Sequence, residues 1–347
     1  MLKMKNKVIV FFVTIILIAS FITAFPFFTK NSLKEEKSET PICGDGTLYE
    51  TCSVTKPYLC EQGILVEKIS VCGCSSLSKN LGGSCYSVHQ SYPEKITLKY
   101  ILNRTEKEID FTMYGEMADY ISRVSRVIEY REDEKPSRAD FKLKTINDEE
   151  QRELLMPLVV KIQNLANDGV EQARIAVSIV QNIPYGSTDK TVFFASGEIN
   201  YSQYPYEVLY YNQGICGEKS ALMAFLLKEL GYGVSIFYFS EENHEVVGIK
   251  CPAEKSFRGS GYCFVETGGP AIITDSFIEY VGGIKLESEP EVIVISDGKS
   301  LPEKMQEYKG AKTMRKIREG SWFIFNKNKK FEALKKKYGL IEEYQVE

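Results

Sequence analysis

Hydrophobic and polar positions divide the chain into stretches with different patterns. The first stretch, from Val8 to Phe28, contains no charged side chain. A helix over this run rises about 30 Å, the thickness of the hydrocarbon core of a bilayer. Residues 29–40 are polar and charged, and residues 41–90 are rich in cysteine and turn residues. From Ile96 onward, alternating and helical apolar patterns are typical of a globular domain.

The uncharged run predicts a transmembrane anchor at residues 8–28. Lys3, Lys5 and Lys7 precede it, so residues 1–7 form a cytoplasmic tail and the rest of the chain lies outside. A cleaved signal peptide is the alternative, but its apolar core normally has about 7–15 residues. The sequence therefore favours a single-pass protein of the cell membrane, with an extracytoplasmic main domain behind a linker at residues 29–40.

Residues 41–90 are expected to form a small module held by cross-links. The module has too few aliphatic residues to bury much core, so covalent cross-links must stabilise it. Three disulfides are favoured among 15 possible connectivities. A structural zinc site is the alternative, although the spacing lacks two CxxC pairs. The six cysteines are Cys43, Cys52, Cys60, Cys72, Cys74 and Cys85.

The following pattern predicts strands and then helices. Alternation of apolar residues predicts two strands, Ile96–Leu102 and Ile109–Met113. Three helices are predicted at Ala118–Tyr130, Asp148–Leu165 and Val170–Gln181. A charged segment with Pro136 separates the first helix from the second, so we predict a small connecting region at residues 91–138 and a larger domain at residues 139–347.

Charge and composition exclude some partners. The chain has 347 residues with a net charge of −4, and its basic residues are interspersed with acidic ones. This distribution gives no basic groove, so no nucleic-acid partner is predicted. No motif predicts a cofactor or a catalytic metal.

Cys216 is the first candidate for chemistry. It lies between Gly214 and Gly217, directly before a strongly apolar helix predicted to end at Leu230, with Gly231 as its C-terminal glycine. The N-terminus of a helix favours a thiolate, which is the nucleophilic form of cysteine. A buried structural cysteine is the alternative.

Cysteine pairing also makes Cys216 distinct. Cys251 and Cys263 lie 12 residues apart around a Gly-rich turn and form a plausible local pair. Together with the six cysteines of the module, they account for eight of the nine. Cys216 is therefore the odd cysteine, and an odd cysteine outside the cytoplasm is a candidate reactive thiol.

His244 is the candidate base for this thiol. The chain has two histidines, and His244 begins a β-branched run that predicts a strand. An exposed loop histidine is the alternative. A third group would hold the imidazole in one tautomer and stabilise its cation. Glu266, at the end of the next predicted strand, is favoured for this role over Asp275.

The order of these residues resembles the transglutaminase-like superfamily, whose core is papain-like. The resemblance covers roughly residues 150–275, and the block around Cys216 is its most specific part. It implies that Cys216, His244 and Glu266 match the catalytic cysteine, histidine and acid, and that Gln181 or Asn182 donates to the oxyanion. The chain departs from the family in using Glu where Asp is commoner.

These expectations define one fold and two functions. The fold is α+β, with a papain-like core in which the nucleophile helix packs on an antiparallel sheet. The favoured function is acyl transfer on amide bonds of a protein or peptide substrate through a Cys216 thioester, with hydrolysis preferred over cross-linking. The alternative is a catalytically silent interaction module at the cell surface.

Overall fold

A computed structural model describes residues 42–340, apart from residues 132, 189, 195–196, 279, 281–283 and 321–325. The strands in this part of the chain are β1 Tyr58–Glu61, β2 Ile64–Glu67, β3 Lys79–Leu81, β4 Ser84–Tyr86, β5 Pro93–Leu102, β6 Thr105–Tyr114, β7 Thr191–Phe194, β8 Gly197–Asn200, β9 Val234–Phe239, β10 His244–Lys250, β11 Tyr262–Val265 and β12 Glu291–Ser296. The helices are α1 Ile69–Cys72, α2 Gly115–Arg123, α3 Arg138–Ile146, α4 Glu149–Leu165, α5 Gly169–Gln181, α6 Pro205–Tyr210, α7 Cys216–Glu229, α8 Gln306–Arg318 and α9 Lys327–Tyr338.

Helix α7 is the central helix of the domain. Its residues from Glu218 to Leu227 are all buried, and those from Ala221 to Leu227 are apolar on every face, as expected for a helix inside a core. It packs against the four-stranded sheet, in which the strands are ordered β11-β10-β9-β12. All three pairings in this sheet are antiparallel. The predicted mixture of helices with antiparallel sheets is therefore confirmed.

Two apolar layers cover the sheet. On the side of α7, the main core extends from the β5–β6 hairpin through α2, α4, α5 and α6 to the sheet. A smaller core covers the other side of the sheet. This second core consists of Phe237, Phe239, Val246, Phe264 and Ile278.

Several predicted elements are confirmed with small changes of boundary. The two predicted strands form the antiparallel hairpin β5–β6. Asp148 caps α4 by accepting a hydrogen bond from the N–H of Gln151, and Asp168 caps α5 in the same way through Val170. Both helices consequently start within one residue of the predicted position. Gly231 follows α7 with a φ of +84°, the conformation that favours glycine after a helix.

The predicted helix Ala118–Tyr130 is wrong in its second half. Helix α2 ends at Arg123, and the guanidinium of Arg126 donates hydrogen bonds to the carbonyl oxygens of Ile121 and Val124. The same guanidinium forms a buried ion pair with Glu207. These contacts satisfy the carbonyl groups that end the helix and pull the following chain away from the helical path.

The cysteine-rich module contains three disulfides, as predicted. They join Cys43 to Cys60, Cys52 to Cys72, and Cys74 to Cys85. All six sulfur atoms are used in these bonds, so the alternative of a zinc site is wrong. The module packs on α4 through Val160, and the side chain of Asn164 bonds to both backbone polar groups of Leu65.

The predicted anchor at 8–28 lies outside the described residues. Between residues 42 and 340, with the gaps given above, no helix is both long and apolar enough to cross a bilayer.

Candidate active site

Cys216 is the first residue of α7 and the single cysteine outside a disulfide. The other eight are paired, including Cys251 with Cys263. The first turn of α7 is fixed by the buried carboxylate of Glu218, which accepts hydrogen bonds from the N–H groups of Ile215 and Gln203 at 3.0 and 2.8 Å. The partly exposed thiol therefore lies at a rigid helix N-terminus, where the helix dipole favours an anion.

His244 begins β10, beside Cys216. The imidazole is 15% exposed, and its Nε2 lies 3.3 Å from Oε2 of Glu266. The Cys216 side chain also interacts with the ring and is one of the groups that raise the pKa of His244. The structure therefore brings the three predicted catalytic residues together in the order thiol, imidazole, carboxylate.

Glu266 follows β11 and is fully buried. Its Oε1 accepts hydrogen bonds from the N–H groups of Thr267 and Gly268 at 2.9 and 2.7 Å. Its Oε2 accepts from His244 and from the hydroxyl of Tyr280. Burial alone raises the pKa of Glu266, but the hydrogen bonds and the charge of His244 lower it overall. The carboxylate is therefore ionised and faces the imidazole.

The same contacts set the protonation of His244. Burial by itself lowers the pKa of this imidazole, but hydrogen bonds to Cys216 and Glu266, together with their negative charges, raise it to about 10. An imidazolium is thus favoured at neutral pH beside the Glu266 carboxylate and the Cys216 side chain. A thiol beside an imidazole that an acid orients is the arrangement of an activated cysteine nucleophile.

Hydrogen bonds hold the nucleophile helix against β10. The hydroxyl of Ser220 donates to the carbonyl oxygen of Glu245 at 3.2 Å, and it lies 3.1 Å from the hydroxyl of Thr267. The amine of Lys142 lies 2.5 Å from the carboxylate of Glu245 and donates to the carbonyl oxygen of Gly217 at 3.1 Å. Gly217, Glu245 and Thr267, the residues that follow the three candidate catalytic residues, are therefore linked by polar contacts through Lys142 and Ser220.

Asp275 does not face the imidazole. Both of its carboxylate oxygens accept hydrogen bonds from the guanidinium of Arg318, at 2.9 and 2.8 Å. Of the two acids considered from the sequence, the structure places Glu266 at His244.

Gln181 lies close to the site but its amide is used elsewhere. The side-chain nitrogen donates to the carbonyl oxygens of Glu266 and Ala271 at 2.9 and 3.2 Å, which occupies both amide hydrogens. Asn182 donates back to Ser178 of its own helix. The structure therefore does not place either side chain as the oxyanion donor expected from the sequence, and Gln181 instead supports the segment that carries Glu266.

Tyr185 lies beside the nucleophile. The backbone N–H of Cys216 acts on its phenol oxygen as a hydrogen-bond donor, which by itself lowers the pKa of the phenol. A parallel bridge between Tyr185 and Gly214 holds the residue beside the nucleophile loop. Burial raises the pKa of this phenol, so it keeps its proton at neutral pH. The phenol O–H of Tyr185 is thus a donor next to the thiol, and the Cys216 N–H is directed at the phenol oxygen.

Neither Tyr280 nor Tyr185 was predicted as a catalytic residue from the sequence. Tyr280 packs its ring against His244 at a centroid distance of 4.6 Å. It lies between β11 and β12, where no helix or strand periodicity predicts its position. For Tyr185, the signal is the Ile183-Pro184-Tyr185 end of α5, since the proline forces the chain out of the helix and toward the loop of Cys216.

No group of histidine, cysteine or acidic side chains suited to a metal ion occurs in the part of the chain that the structure describes.

Comparisons with known proteins add little to this geometry. No protein-family model matches the chain, and no curated protein matches it. A solved structure of LapG from Legionella pneumophila matches with 13% identity and a TM-score of 0.24, covering 37% of this chain and 72% of LapG. Calcium-bound LapG from Legionella pneumophila matches with 13% identity and a TM-score of 0.25, covering 51% of this chain and 98% of LapG.

Proposed function

We propose that the chain is a thiol-dependent acyl-transfer enzyme that cleaves amide bonds of proteins or peptides. The observation that carries the proposal is the contact series from Cys216 through His244 to Glu266. This series contains a single free thiol at a helix N-terminus, an imidazolium and a buried carboxylate. Each of these features increases the reactivity of a cysteine, and together they form the arrangement of a nucleophile, a base and an orienting group.

The first half of the reaction forms a thioester. The Cys216 thiolate attacks the carbonyl carbon of the amide, and the C=O electron pair moves onto oxygen to give a tetrahedral oxyanion. The oxyanion replaces the Tyr185 phenol oxygen as the acceptor of the Cys216 N–H, and the phenol O–H turns to donate to the oxyanion as well. The imidazolium of His244 then gives its proton to the departing amine as the C–N bond breaks.

The second half releases the acyl group. Neutral His244 accepts a proton from water while the water oxygen attacks the thioester carbonyl. The tetrahedral intermediate collapses, the C–S bond breaks, and the thiolate returns beside the imidazolium. A primary amine in place of water would give a new amide, so hydrolysis and cross-linking share the first half. We favour hydrolysis because water is present in every cleft.

The disulfides support action outside the cytoplasm. Four disulfides in one chain are typical of oxidising compartments. Together with the predicted anchor at residues 8–28, they lead us to propose a membrane-bound enzyme whose catalytic domain faces the extracytoplasmic space.

A peptide library tests the proposal. Purified protein is incubated at neutral pH with a mixture of peptides, with and without an added primary amine, and the products are identified by mass spectrometry. We expect new carboxyl ends in water and amine adducts only if the enzyme also cross-links. Cys216→Ala and His244→Ala should lose turnover by similar factors, because the two residues act as one unit.

His89→Asn is the matched control, since His89 stacks on Tyr120 and does not contact the site. This variant should keep full turnover. A Cys216 that is inert to alkylation in the folded wild-type protein would contradict the proposal and favour a silent interaction module.

A further inference from the structure

Lys219 is a lysine with no solvent exposure, one helical turn after the nucleophile. Its relative exposure is 0%. Residues three positions apart lie on the same face of a helix, so Lys219 follows Cys216 along one face of α7. Lysine is almost never fully buried unless it is paired. The position of Lys219 therefore requires an explanation that the mechanism above does not supply.

The ammonium group joins the segments that carry the other site residues. It donates to the carbonyl oxygen of Ile183 at 2.6 Å and to that of Gly268 at 2.9 Å. Ile183 lies two residues before Tyr185, and Gly268 lies two residues after Glu266. Through Lys219, the nucleophile helix is thus bonded to the oxyanion segment on one side and to the acid segment on the other.

Charge balance gives Lys219 a second role. A thiolate at Cys216 and the carboxylate of Glu266 carry two negative charges in a largely buried site, while the imidazolium carries one positive charge. The ammonium of Lys219 adds a second positive charge. The other ionisable groups beside the site are Glu245, which is paired with Arg138 and Lys142, and the buried carboxyl of Glu218, whose pKa is raised by burial. An uncompensated buried charge is costly, so without Lys219 the site would favour the neutral thiol.

We propose that Lys219 is a positioning residue whose buried positive charge keeps Cys216 in its thiolate form. This role rests on the proposed function of Cys216 as a nucleophile. Burial lowers the pKa of Lys219 to about 8, against the opposing effects of Glu266 and Cys216. The amine is therefore still mainly protonated at neutral pH, when its charge is needed.

Two variants separate charge from hydrogen bonding. Lys219→Gln keeps an N–H donor and removes the charge, whereas Lys219→Met removes both. Lys299→Met is the matched control, because Lys299 lies over the ring of Tyr232 and packs near Gly169. Gly169 is at the opposite end of α5 from Gln181, about 18 Å away along the helix.

The readout is the rate of Cys216 alkylation by iodoacetamide from pH 5 to 10, followed by intact mass. We expect the midpoint of this profile to rise by about 1–2 pH units in Lys219→Gln and Lys219→Met, which slows alkylation about 10- to 100-fold at pH values below the wild-type midpoint. Lys299→Met should match the wild type. An unchanged midpoint in a folded Lys219 variant, as judged by near-ultraviolet circular dichroism, would overturn the proposal.

The wild-type protein gives a test that does not depend on a variant that folds. Coupling between two groups is reciprocal, so converting the Cys216 thiolate into a neutral thioether must lower the titration midpoint of Lys219. In protein labelled with ¹³C-lysine, one lysine with a midpoint near 8 should shift lower after alkylation. If no lysine signal changes, Lys219 does not sense the thiolate and the proposal is wrong.

The two proposals fail in different ways. Rapid alkylation of wild-type Cys216 without turnover of any peptide would disprove the amide-cleaving function and leave the role of Lys219 intact. Normal turnover with unchanged alkylation in Lys219→Gln would disprove only the role of Lys219.

Discussion

The hydroxyl of Tyr280 donates a hydrogen bond to the same oxygen of Glu266 that faces the imidazole of His244. Two donors therefore share Oε2, while the N–H groups of Thr267 and Gly268 share Oε1. The ring of Tyr280 also packs against the imidazole. Tyr280 consequently fixes both the carboxylate and the ring that the carboxylate orients.

Tyr280→Phe tests this relationship. The variant keeps the ring and removes the donor, so the imidazole becomes the single donor to Oε2 and the carboxylate has more freedom to rotate. Hydrogen bonds to charged groups are worth about 1.5–3 kcal/mol, and we expect kcat to fall about tenfold with little change in KM. Tyr308→Phe, which removes a hydroxyl bonded to Pro302, is the control. Equal kinetics in the two variants would show that Tyr280 has no orienting role.

Replacing Glu266 by its amide should mainly reduce turnover, whereas replacing Asp275 by its amide should mainly reduce stability. Glu266→Gln replaces an acceptor of the imidazole N–H by an amide and disfavours the productive tautomer, so we expect turnover to fall about 10³-fold or more. Asp275→Asn leaves Arg318 with a neutral partner, which should lower the melting temperature by several degrees and preserve turnover. Kinetics and thermal melts on the same samples compare the two. A larger loss of turnover in Asp275→Asn than in Glu266→Gln would show that Asp275, and not Glu266, orients the imidazole.

Local patterns in the sequence predicted the elements that carry the triad. The start of α7 and the start of β10 follow from the glycines around Cys216, the apolar helix behind it and the β-branched run after His244. These signals lie within a few residues of the group that they position. The same holds for Glu266, which follows a short apolar strand.

The contacts around these residues could not be predicted in the same way. Gln181 donates to the backbone of Glu266, and Lys142 forms an ion pair with Glu245. In both cases the partners are far apart in the sequence, so a local pattern cannot predict the contact. Helix α3, which carries Lys142, was not predicted although Ser137 and Asp140 form a capping box at its start, which is a local signal for a helix N-terminus. The amides of Gln181 and Asn182 bond to neighbouring groups, and Tyr185, beyond Pro184, lies beside the nucleophile loop. The sequence did not predict this placement, because the direction of the chain after a proline depends on tertiary contacts.

Native and denatured alkylation should count the cysteines. Eight of the nine are in disulfides, so iodoacetamide should add one group to the folded, unreduced protein, at Cys216. After reduction and unfolding, it should add nine. Peptide mapping of the unreduced protein should recover the four cross-links. A second label on the folded protein would show that one of the disulfides is absent.

The predicted topology leads to a protease experiment. If residues 8–28 anchor the chain with a cytoplasmic N-terminus, protease added to intact cells should degrade the catalytic domain. Because three disulfides hold the cysteine-rich module, we expect it to resist cleavage until it is reduced and to give a fragment that can be followed. Protection of the whole chain until the cells are lysed would place the domain in the cytoplasm.

The titration of His244 tests the ion pair itself. In the wild type, its pKa is raised to about 10 by Cys216 and Glu266. Cys216→Ala removes one of these partners, so the midpoint should fall while remaining above the ordinary value of about 6.5. The imidazole carbon signals of the two histidines in ¹³C-labelled protein follow both titrations, and the signal of His89 is the internal control.

The stability of Cys216→Ala should change with pH in a defined direction. Its folded state keeps the His244 proton at pH values where the unfolded chain has lost it. The stabilisation from His244 is therefore fully present below about pH 6.5, and it is lost as the pH rises through the folded-state midpoint. Urea unfolding at a series of pH values measures this slope. When two groups are coupled, removing one of them changes the titration midpoint of the other. A His244 midpoint that is the same in wild type and Cys216→Ala would therefore mean that the thiol and the imidazole are not coupled.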